Sequence, residues 1–356
     1  MEQVLHKSVF RVLVILLVVV MVASGCGPGQ KETDTISIRI GWQVPWATQG
    51  QVTQTLVHTN VLELNGLNGE FKGFSYGGPL NEAALAKEVD VIFTADQPAA
   101  MLLGAGGEWT IIGRLMYNRV AIYVPPDSPI QSLTDLKGKT IAIPFGAAAQ
   151  RDALKAIQEA GLDPESDVHS INLDIYEQTG IVQAGTSESW GEIDALVGFD
   201  PTPAIFEHEG QARMLHVGQV VSLVLMSNDF ISNNPDAPAR FLRAFAEAYL
   251  YYVTHPEQAN MWFLEASQLS FDPAVLEIAA SVEPNIQAQS IEDIRITLTE
   301  QDLGIMDEAT TFIYEHGLTD KLVNMRDAVD MSYAEDVSSE LLAESYDPSR
   351  VQVTTP

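Results

Sequence analysis

The stretch Leu133-Thr134-Asp135-Leu136-Lys137-Gly138-Lys139-Thr140-Ile141-Ala142 shows the building plan of this chain. Its last residues open a short β-branched run, 140–143, which predicts a buried strand. Residues 146–160 then predict a helix that Gly161 ends, since glycine commonly follows a helix C-terminus. A strand followed closely by a helix is the unit of α/β proteins with largely parallel sheets.

The same alternation runs before and after this stretch. The proline-rich segment 125–129 breaks regular structure after the apolar run 120–124, which we interpret as a crossing between two lobes. A second apolar run, 220–226, predicts the return crossing. Further strands are predicted at 36–40, 69–75, 89–93 and 194–197, and further helices at 49–64, 79–87, 239–253 and 300–316.

These two crossings predict the domain boundaries. The first lobe is expected to comprise residues 36–124 and 223–330, and the second lobe residues 125–222. Residues 331–356 fit neither lobe, and we expect them to form a loosely ordered C-terminal tail.

The N-terminus predicts export from the cell. Lys7 and Arg11 precede an apolar run, 12–23, that is shorter than the about 20 residues needed to span a bilayer. A basic start, an apolar core of this length and small residues before the cleavage point are typical of a signal peptide, here residues 1–25. The alternative, a single transmembrane anchor, is disfavoured by the short run.

The sole cysteine follows this signal directly. Ala23-Ser24-Gly25-Cys26 resembles the bacterial lipoprotein signal, in which the cysteine becomes the lipidated first residue. Residues 26–35 are polar and carry glycine and proline, which predicts a flexible tether. We therefore expect a chain anchored to the cell membrane by lipid on Cys26, facing the periplasm or the exterior. Without a second cysteine, a disulfide and a metal site of several thiolates are both excluded.

The charge balance argues against nucleic acid as a partner. The 356 residues include 48 acidic and 19 basic side chains, which gives a formal net charge of -29. Binding to phosphate backbones needs clustered Lys and Arg, and no basic stripe is visible. The apolar fraction of 46% is sufficient for two domains that each have a core.

Three strings carry a family resemblance: DVIFTADQPA at 90–99, LTDLKGKTIA at 133–142 and ARFLRAF at 239–245. In content and order they resemble the nitrate/sulfonate/taurine group of ABC-importer solute-binding proteins, which also includes binders of thiamine pyrimidine precursors. The resemblance implies a type II periplasmic-binding-protein-like α/β fold, with two lobes of mixed, mostly parallel sheets joined by two crossing strands. It also implies a monomer without cofactors that closes on a small-molecule ligand and delivers it to ABC permease and ATPase subunits.

Ligands of open α/β sheets bind beyond the carboxyl ends of the strands and between domains, which identifies candidate loops. Each candidate also has a plain structural interpretation. The aromatic side chains would pack under their loops, Asp96 and Asp200 would cap the following helices, and Tyr76 with Gly77 would form a turn. The candidate ligand-binding residues are Trp42, Gln43, Trp46, Tyr76, Gly77, Thr94, Asp96, Gln97, Phe145, Gly146, Ala147, Ala148, Gln150, Phe199 and Asp200.

These loops leave the ligand class open. The helix after Phe145 opens with small residues, so its free N–H groups can approach an anion such as a sulfonate or nitrate. The loops contain no lysine, however, and their aromatic side chains suit an organic, ring-bearing or partly cationic ligand such as a pyrimidine precursor equally well.

An enzyme and a sensor are the rival classes. A related fold serves a pyrimidine synthase with a cysteine-rich motif and an active-site histidine, and that motif is absent here. The chain has no nucleophile elbow, phosphate-binding loop or His-Glu-x-x-His motif. We therefore expect a binding protein and not an enzyme. An extracytoplasmic ligand sensor is the alternative, and a neighbouring permease and ATPase gene would distinguish the two.

Overall fold

The computed structural model describes residues 35–354. The predicted signal peptide, the lipidation site Cys26 and all but the last residue of the predicted tether lie outside this range. A single compact unit begins at Ile36. Within residues 35–354, no helix combines the length and the apolar character needed to cross a membrane.

Eight strands in the described chain form one mixed sheet. They are β1 (Ile36–Gln43), β2 (Leu67–Phe74), β3 (Val91–Ala95), β4 (Trp109–Val124), β5 (Thr140–Ile143), β6 (His169–Asn172), β7 (Ala195–Phe199) and β8 (Arg213–Ser227). Their order across the sheet is β2-β1-β3-β8-β4-β7-β5-β6. β1 runs parallel to β2 and β3, and β5 runs parallel to β6 and β7. The central strands β8 and β4 are antiparallel to each other and to their outer neighbours.

The two central strands are the crossing strands that the resemblance implies, and the predicted fold class is confirmed. β4 has 16 residues and β8 has 15, and they pair with each other along their length. β8 pairs with β3 near its end, whereas the last part of β4 pairs with β7. The apolar runs 120–124 and 220–226 mark only the ends of these strands, because Arg114, Asn118 and Arg119 interrupt the apolar pattern of β4.

The helices of the described chain pack on both faces of the sheet. Along β8, Val220 and Val224 belong to one apolar core cluster, whereas Val221 and Leu223 belong to another. Successive strand residues point to opposite faces, so each face has its own core. The helices are α1 (Gln49–His58), α2 (Val61–Leu64), α3 (Gly77–Leu85), α4 (Asp96–Gly104), α5 (Ala148–Glu159), α6 (Ile175–Ala184), α7 (Thr202–His208), α8 (Asn228–Asn233), α9 (Ala237–Thr254), α10 (Pro256–Ser267), α11 (Val275–Ala280), α12 (Glu300–Glu315) and α13 (Ser332–Ala343).

The expectation of a loosely ordered tail after residue 330 is wrong. α13 buries Ala334, Val337 and Leu341 in the main core, and the chain then returns to form a bridge between Val353 and Thr59. These three apolar residues are three and four residues apart in the sequence, a spacing that predicts a helix. The sequence interpretation missed it because the segment is short and rich in acidic residues.

Candidate functional site

The carboxyl ends of the strands in the two halves of the sheet are directed towards each other. β3 ends at Ala95, and β7, which runs in the opposite direction, ends at Phe199 beside Val120. The carboxyl ends of these strands therefore face each other across the middle of β4 and β8, where Asn118 pairs with Val220. This middle segment is the floor of a cleft, in the position where open α/β sheets bind ligands.

A small cavity lies on this floor. The space between its walls is about 10 Å³, which is room for about one water molecule. The cleft is therefore closed, and any larger ligand would have to enter an opened form. The cavity is lined by Gln43, Trp46, Gly77, Ala95, Pro98, Asn118, Val120, Ala147, Ala148, Ala149, Phe199 and Val220.

The loop between β1 and α1 supplies the aromatic wall. The indole of Trp46 is 2% exposed and meets the ring of Phe199 edge-on, with 6.4 Å between ring centroids. Two residues later, Thr48 has a φ of 65°, and Gln49 N donates to Ala47 O over 2.9 Å to close a tight γ-turn. A β-branched residue rarely adopts this conformation, so the surrounding contacts must hold the loop firmly.

The opposite wall is made of small residues. Gly146 has a φ of 84°, a conformation that favours glycine, and leads into α5, which opens with Ala148 and Ala149. On the facing helix α3, a Cβ atom at Gly77 would lie 2.6 Å from Pro98 Cβ. Pro98 belongs to the same side of the cleft as Gly77, whereas the two walls meet at Gly146, where a Cβ atom would lie 3.6 Å from Gly78 Cα.

Two buried polar atoms on the cavity residues have no hydrogen-bond partner within the described part of the chain. They are Trp46 Nε1, which is a donor, and Asn118 Oδ1, which is an acceptor. Buried polar atoms are nearly always hydrogen-bonded, because leaving one unpaired costs about 1–3 kcal/mol. A ligand that accepts from the indole and donates to the amide would satisfy both atoms.

The arginine beside the cavity is already paired. Arg119 contacts Asp200 at 3.2 Å and Glu207 at 2.5 Å. Burial raises the pKa of Asp200 to about 6, although the Arg119 guanidinium opposes this shift. Asp200 also accepts from Ala204 N in the first turn of α7 over 3.1 Å, although Pro201 and not Asp200 is the N-cap residue of this helix.

A second buried ion pair lies between α4 and α5. Asp96 and Arg151 are 0% and 3% exposed, and Arg151 Nη2 donates to Asp96 Oδ2 over 2.8 Å. Burial raises the pKa of Asp96 against the opposing charge of Arg151. With both arginines paired, the cations close to the cleft are neutralised by carboxylates. Among residues 35–354, no cluster of three or more His, Cys, Asp or Glu side chains is arranged to hold a metal ion.

The predicted candidates divide into three groups. Gln43, Trp46, Gly77, Ala147, Ala148 and Phe199 line the cavity. Asp96, Gln97, Gln150 and Asp200 are engaged in bonds within the protein. The other five do not line the cavity: Trp42 and Thr94 are buried, Tyr76 is half-buried, Phe145 is exposed, and Gly146 leads into the small-residue wall.

Six cavity residues were not predicted: Ala95, Pro98, Asn118, Val120, Ala149 and Val220. Asn118, Val120 and Val220 lie inside the crossing strands, whereas the candidates predicted from the sequence all come from the loops expected to follow strand ends. Asn118 had a usable signal, since it is an amide inside the otherwise apolar 16-residue strand β4.

These features define the class of protein. Two half-sheets that face each other across two long antiparallel strands, with a closed cleft between them, are the periplasmic-binding-protein fold. The sequence places the chain more narrowly. The family model described as NMT1/THI5 like matches residues 78–259, and the chain belongs to this family.

Individual relatives are more distant. A protein of Brucella abortus with the provisional name of binding protein is 26% identical over 276 residues, which cover 74% of this chain and 81% of that protein. A protein of Brachyspira hyodysenteriae, provisionally named as an ABC transporter periplasmic binding protein, is 22% identical, with coverage of 80% and 86%.

Solved structures share the fold. The alkanesulfonate-binding protein of Xanthomonas axonopodis bound to MOPS superposes with a TM-score of 0.69 at 21% identity, covering 84% of this chain and 100% of that one. The desulfurization enzyme DszB, in complex with biphenyl-2-sulfinic acid, superposes with a TM-score of 0.63 at 14% identity, with coverage of 86% and 99%. The fold thus occurs in binding proteins and in an enzyme.

Proposed function

We propose that this chain is the extracytoplasmic solute-binding component of an ABC importer. A lipid on Cys26 would hold it at the membrane, and it would work as a monomer with permease and ATPase subunits. The proposed lobes are 36–124 with 223–330, and 125–222. One observation carries the proposal: the cleft closes on two buried polar atoms, Trp46 Nε1 and Asn118 Oδ1, that have no protein partner in the described chain. A bound solute would supply the missing bonds and so favour a closed form that is wide enough to hold it.

For the ligand we propose a small molecule of the sulfonate, nitrate or taurine type, or a related organic ligand. The N-terminal residues Ala148 and Ala149 of α5 line the cavity and place the positive end of a 12-residue helix there. Known sulfonate binding in a protein of the same fold supports this choice.

A second ligand class has its own support. Arg119 and Arg151 are both paired with carboxylates, so neither of them is free to bind an anionic ligand. The rings of Trp46 and Phe199 instead offer apolar contact to a heterocycle such as a pyrimidine precursor. An uncharged ring with one hydrogen-bond acceptor and one donor would match Trp46 Nε1 and Asn118 Oδ1.

A thermal-shift screen of the compact unit from Ile36 to the C-terminus tests the function and the ligand class together. The panel holds taurine, alkane- and arylsulfonates, nitrate, and pyrimidine precursors. A ligand at 100 times its dissociation constant stabilises the fold by about 2.7 kcal/mol, which moves the melting temperature visibly. No shift with any compound would count against the proposal.

A matched pair of variants then assigns the hit to the cleft. Trp46→Phe removes the indole N–H and keeps an aromatic ring, so the ligand-induced shift should shrink. Trp109→Phe makes the same change at a buried tryptophan on β4 that does not line the cavity, and the shift should persist. Equal shifts in both variants would place the ligand elsewhere.

The two rival classes predict different results. A hydrolytic enzyme would turn over the compound that stabilises it, with water as the second reactant, and product would appear on incubation with the protein alone. A sensor would bind the same ligand without an effect on uptake, so deletion of its gene would leave import of the labelled ligand unchanged. The importer component predicts an intact ligand and loss of uptake.

A further inference from the structure

A pair of glutamine side chains joins the two sides of the cleft. Gln97 lies in the first turn of α4, after β3, and Gln150 lies in the first turn of α5, after β5. β3 and β5 belong to opposite halves of the sheet, separated by β8, β4 and β7. Gln97 is 0% exposed and Gln150 is 5% exposed. A contact between these residues therefore exists only while the halves are together.

The bonds of the pair are reciprocal. Gln97 Nε2 donates to Gln150 Oε1 over 3.1 Å, and Arg151 N donates to Gln97 Oε1 over 2.9 Å. Gln150 Oε1 also accepts from Gly146 N over 2.8 Å. Because a backbone N–H can only donate, the bonds from Arg151 and Gly146 fix which amide atom is oxygen in both side chains. The direction of the bond between the glutamines follows from this.

The pair also shapes the wall of the cavity. Its bond to Gly146 fixes the backbone just before Ala147, Ala148 and Ala149, which line the cavity. Gly146 in turn lies against Gly78 of the opposite side, since a Cβ atom on Gly146 would be 3.6 Å from Gly78 Cα. Neither glutamine lines the cavity itself, so neither is placed to bind the ligand directly.

We propose that Gln97 and Gln150 are positioning residues of the ligand site, which hold the cleft closed and set its small-residue wall against α3. This inference rests on the proposed solute-binding function. When the cleft opens, two bonds break, and Gln97 Nε2, Gln97 Oε1, Gln150 Oε1 and Arg151 N exchange these partners for water. Net hydrogen-bond energies in water are small, so the pair favours closure without locking it.

The test measures closure without a ligand. The sequence contains one cysteine, Cys26, so the compact unit from Ile36 onward has none and accepts two introduced cysteines without interference. Leu85 and Gln158 are exposed at the far ends of α3 and α5, whose first turns meet at the cleft. Spin labels at Leu85→Cys and Gln158→Cys report the opening of the cleft through the distance between them, measured by pulsed electron spin resonance.

Two isosteric variants are expected to behave oppositely. Gln150→Glu keeps an acceptor for both Gly146 N and Gln97 Nε2, so the distance distribution should stay that of the unchanged protein. Gln97→Glu sets an acceptor against Gln150 Oε1 and removes the donor, so a longer-distance population should appear. Each change adds one negative charge in the first turn of a helix, where the helix dipole favours it, so the charge itself is matched.

Alanine variants test the same point without added charge. Gln97→Ala and Gln150→Ala should both open the cleft. The control is Gln178→Ala, since Gln178 is equally buried and bonds to the Tyr123 hydroxyl and to Val197 O, within one half of the sheet. It should lower the melting temperature and leave the label distance unchanged.

Three results would overturn the proposal: an unchanged distance in Gln97→Ala, an equal opening in both glutamate variants, or an opening in Gln178→Ala as large as in Gln97→Ala. A silent ligand screen would contradict the proposed function and leave these distances unaffected. The failure of one proposal can therefore be distinguished from the failure of the other.

Discussion

Two buried pairs of an arginine with a carboxylate differ in what surrounds them. Arg114 on β4 and Glu283 are both 0% exposed, and both carboxylate oxygens accept from the guanidinium, at 3.1 and 2.6 Å. Glu283 also accepts from the N–H groups of Tyr117 and Asn285. Asp96 and Arg151 are almost as buried, yet they share a single side-chain bond of 2.8 Å.

The difference follows from position. Arg114 and Glu283 both belong to residues proposed for the first lobe, so their contact persists whether the cleft is open or closed. Arg151 and Asp96 come from opposite halves of the sheet, so their contact has to break when the cleft opens. The two bonds from Arg114, together with those from Tyr117 N and Asn285 N, compensate for the desolvation of Glu283. Asp96 accepts only one bond from its arginine and one from Gln97 N, so its desolvation is less completely compensated. The raised pKa of Asp96 is consistent with this incomplete compensation.

The largest expected effect is at the permanent pair. Arg114→Met leaves Glu283 buried without its cation and removes a guanidinium that lies 4.4 Å from the centre of the Tyr117 ring. Breaking a buried pair on one side costs about 3–5 kcal/mol of unfolding free energy. Urea denaturation at pH 7 measures this loss. The double variant Arg114→Met, Glu283→Leu removes both charges and should be more stable than the single variant; if it is not, the unpaired charge is not the cause.

The next effect is a pH dependence from Asp200, a second carboxylate beside the cleft. Burial raises its pKa to about 6, above the about 3.9 of an unfolded chain. The folded chain therefore binds this proton more tightly, so the stability it contributes at low pH is lost as the pH rises from about 4 to about 6. Relative to Asp200→Asn, the unchanged protein should lose about 2 kcal/mol across that window and show no further change above it.

Other carboxylates add a pH dependence of their own at the acid end of this window, since hydrogen bonds lower the pKa values of Asp135 and Asp163. Only the difference between the two proteins isolates Asp200. Urea titrations of both proteins at pH 4, 5, 6 and 7 give that difference. A difference that stays constant between pH 4 and 6 would show that burial does not raise this pKa.

A smaller loss is expected at the pair that bridges the cleft. Arg151→Met leaves Asp96 without its cation, but the cleft can open and admit water to the carboxylate. The loss of unfolding free energy should be about 1.5–3 kcal/mol, which is that of one charged hydrogen bond. Urea denaturation measures it, with Arg114→Met as the reference. A loss at Arg151 as large as at Arg114 would mean that the cleft does not open to hydrate Asp96, and the comparison would fail.

The fold could be predicted from the sequence because it consists of alternating strands and helices, each of which has its own local hydrophobic pattern. Strand 140–143 agrees with β5 residue for residue, and the helix predicted at 300–316 ends one residue later than α12. Hydrophobic periodicity reports such elements directly. It reports the crossing strands poorly, since β4 carries Arg114, Asn118 and Arg119, whose partners lie far away in the sequence.

The site was predictable only in part for the same reason. Strand-end reasoning identified Trp46, Gly77 and Phe199, which line the cavity. It could not separate them from Gln97 and Gln150, because whether a polar side chain faces a cavity or another side chain depends on a contact 53 residues away in sequence. Asn118 is part of the cleft floor because β4 pairs with β8. The residues around Asn118 in the sequence give no indication of this pairing.

The smallest effect belongs to an ion pair that resembles the others only in distance. Lys87 Nζ and Asp229 Oδ2 are 2.5 Å apart, but their side chains are 76% and 57% exposed. Water and salt screen such a pair, and holding two long side chains in place costs conformational entropy. Lys87→Met should therefore leave the urea midpoint within experimental error of the unchanged protein at 0.15 M salt. Since Lys87 also has a φ of 59°, a conformation that a side chain rarely adopts, Lys87→Gly serves as the companion variant and should raise the midpoint. A clear loss in Lys87→Met would show that the short contact stabilises the fold despite its exposure, and distance would then rank these pairs better than burial does.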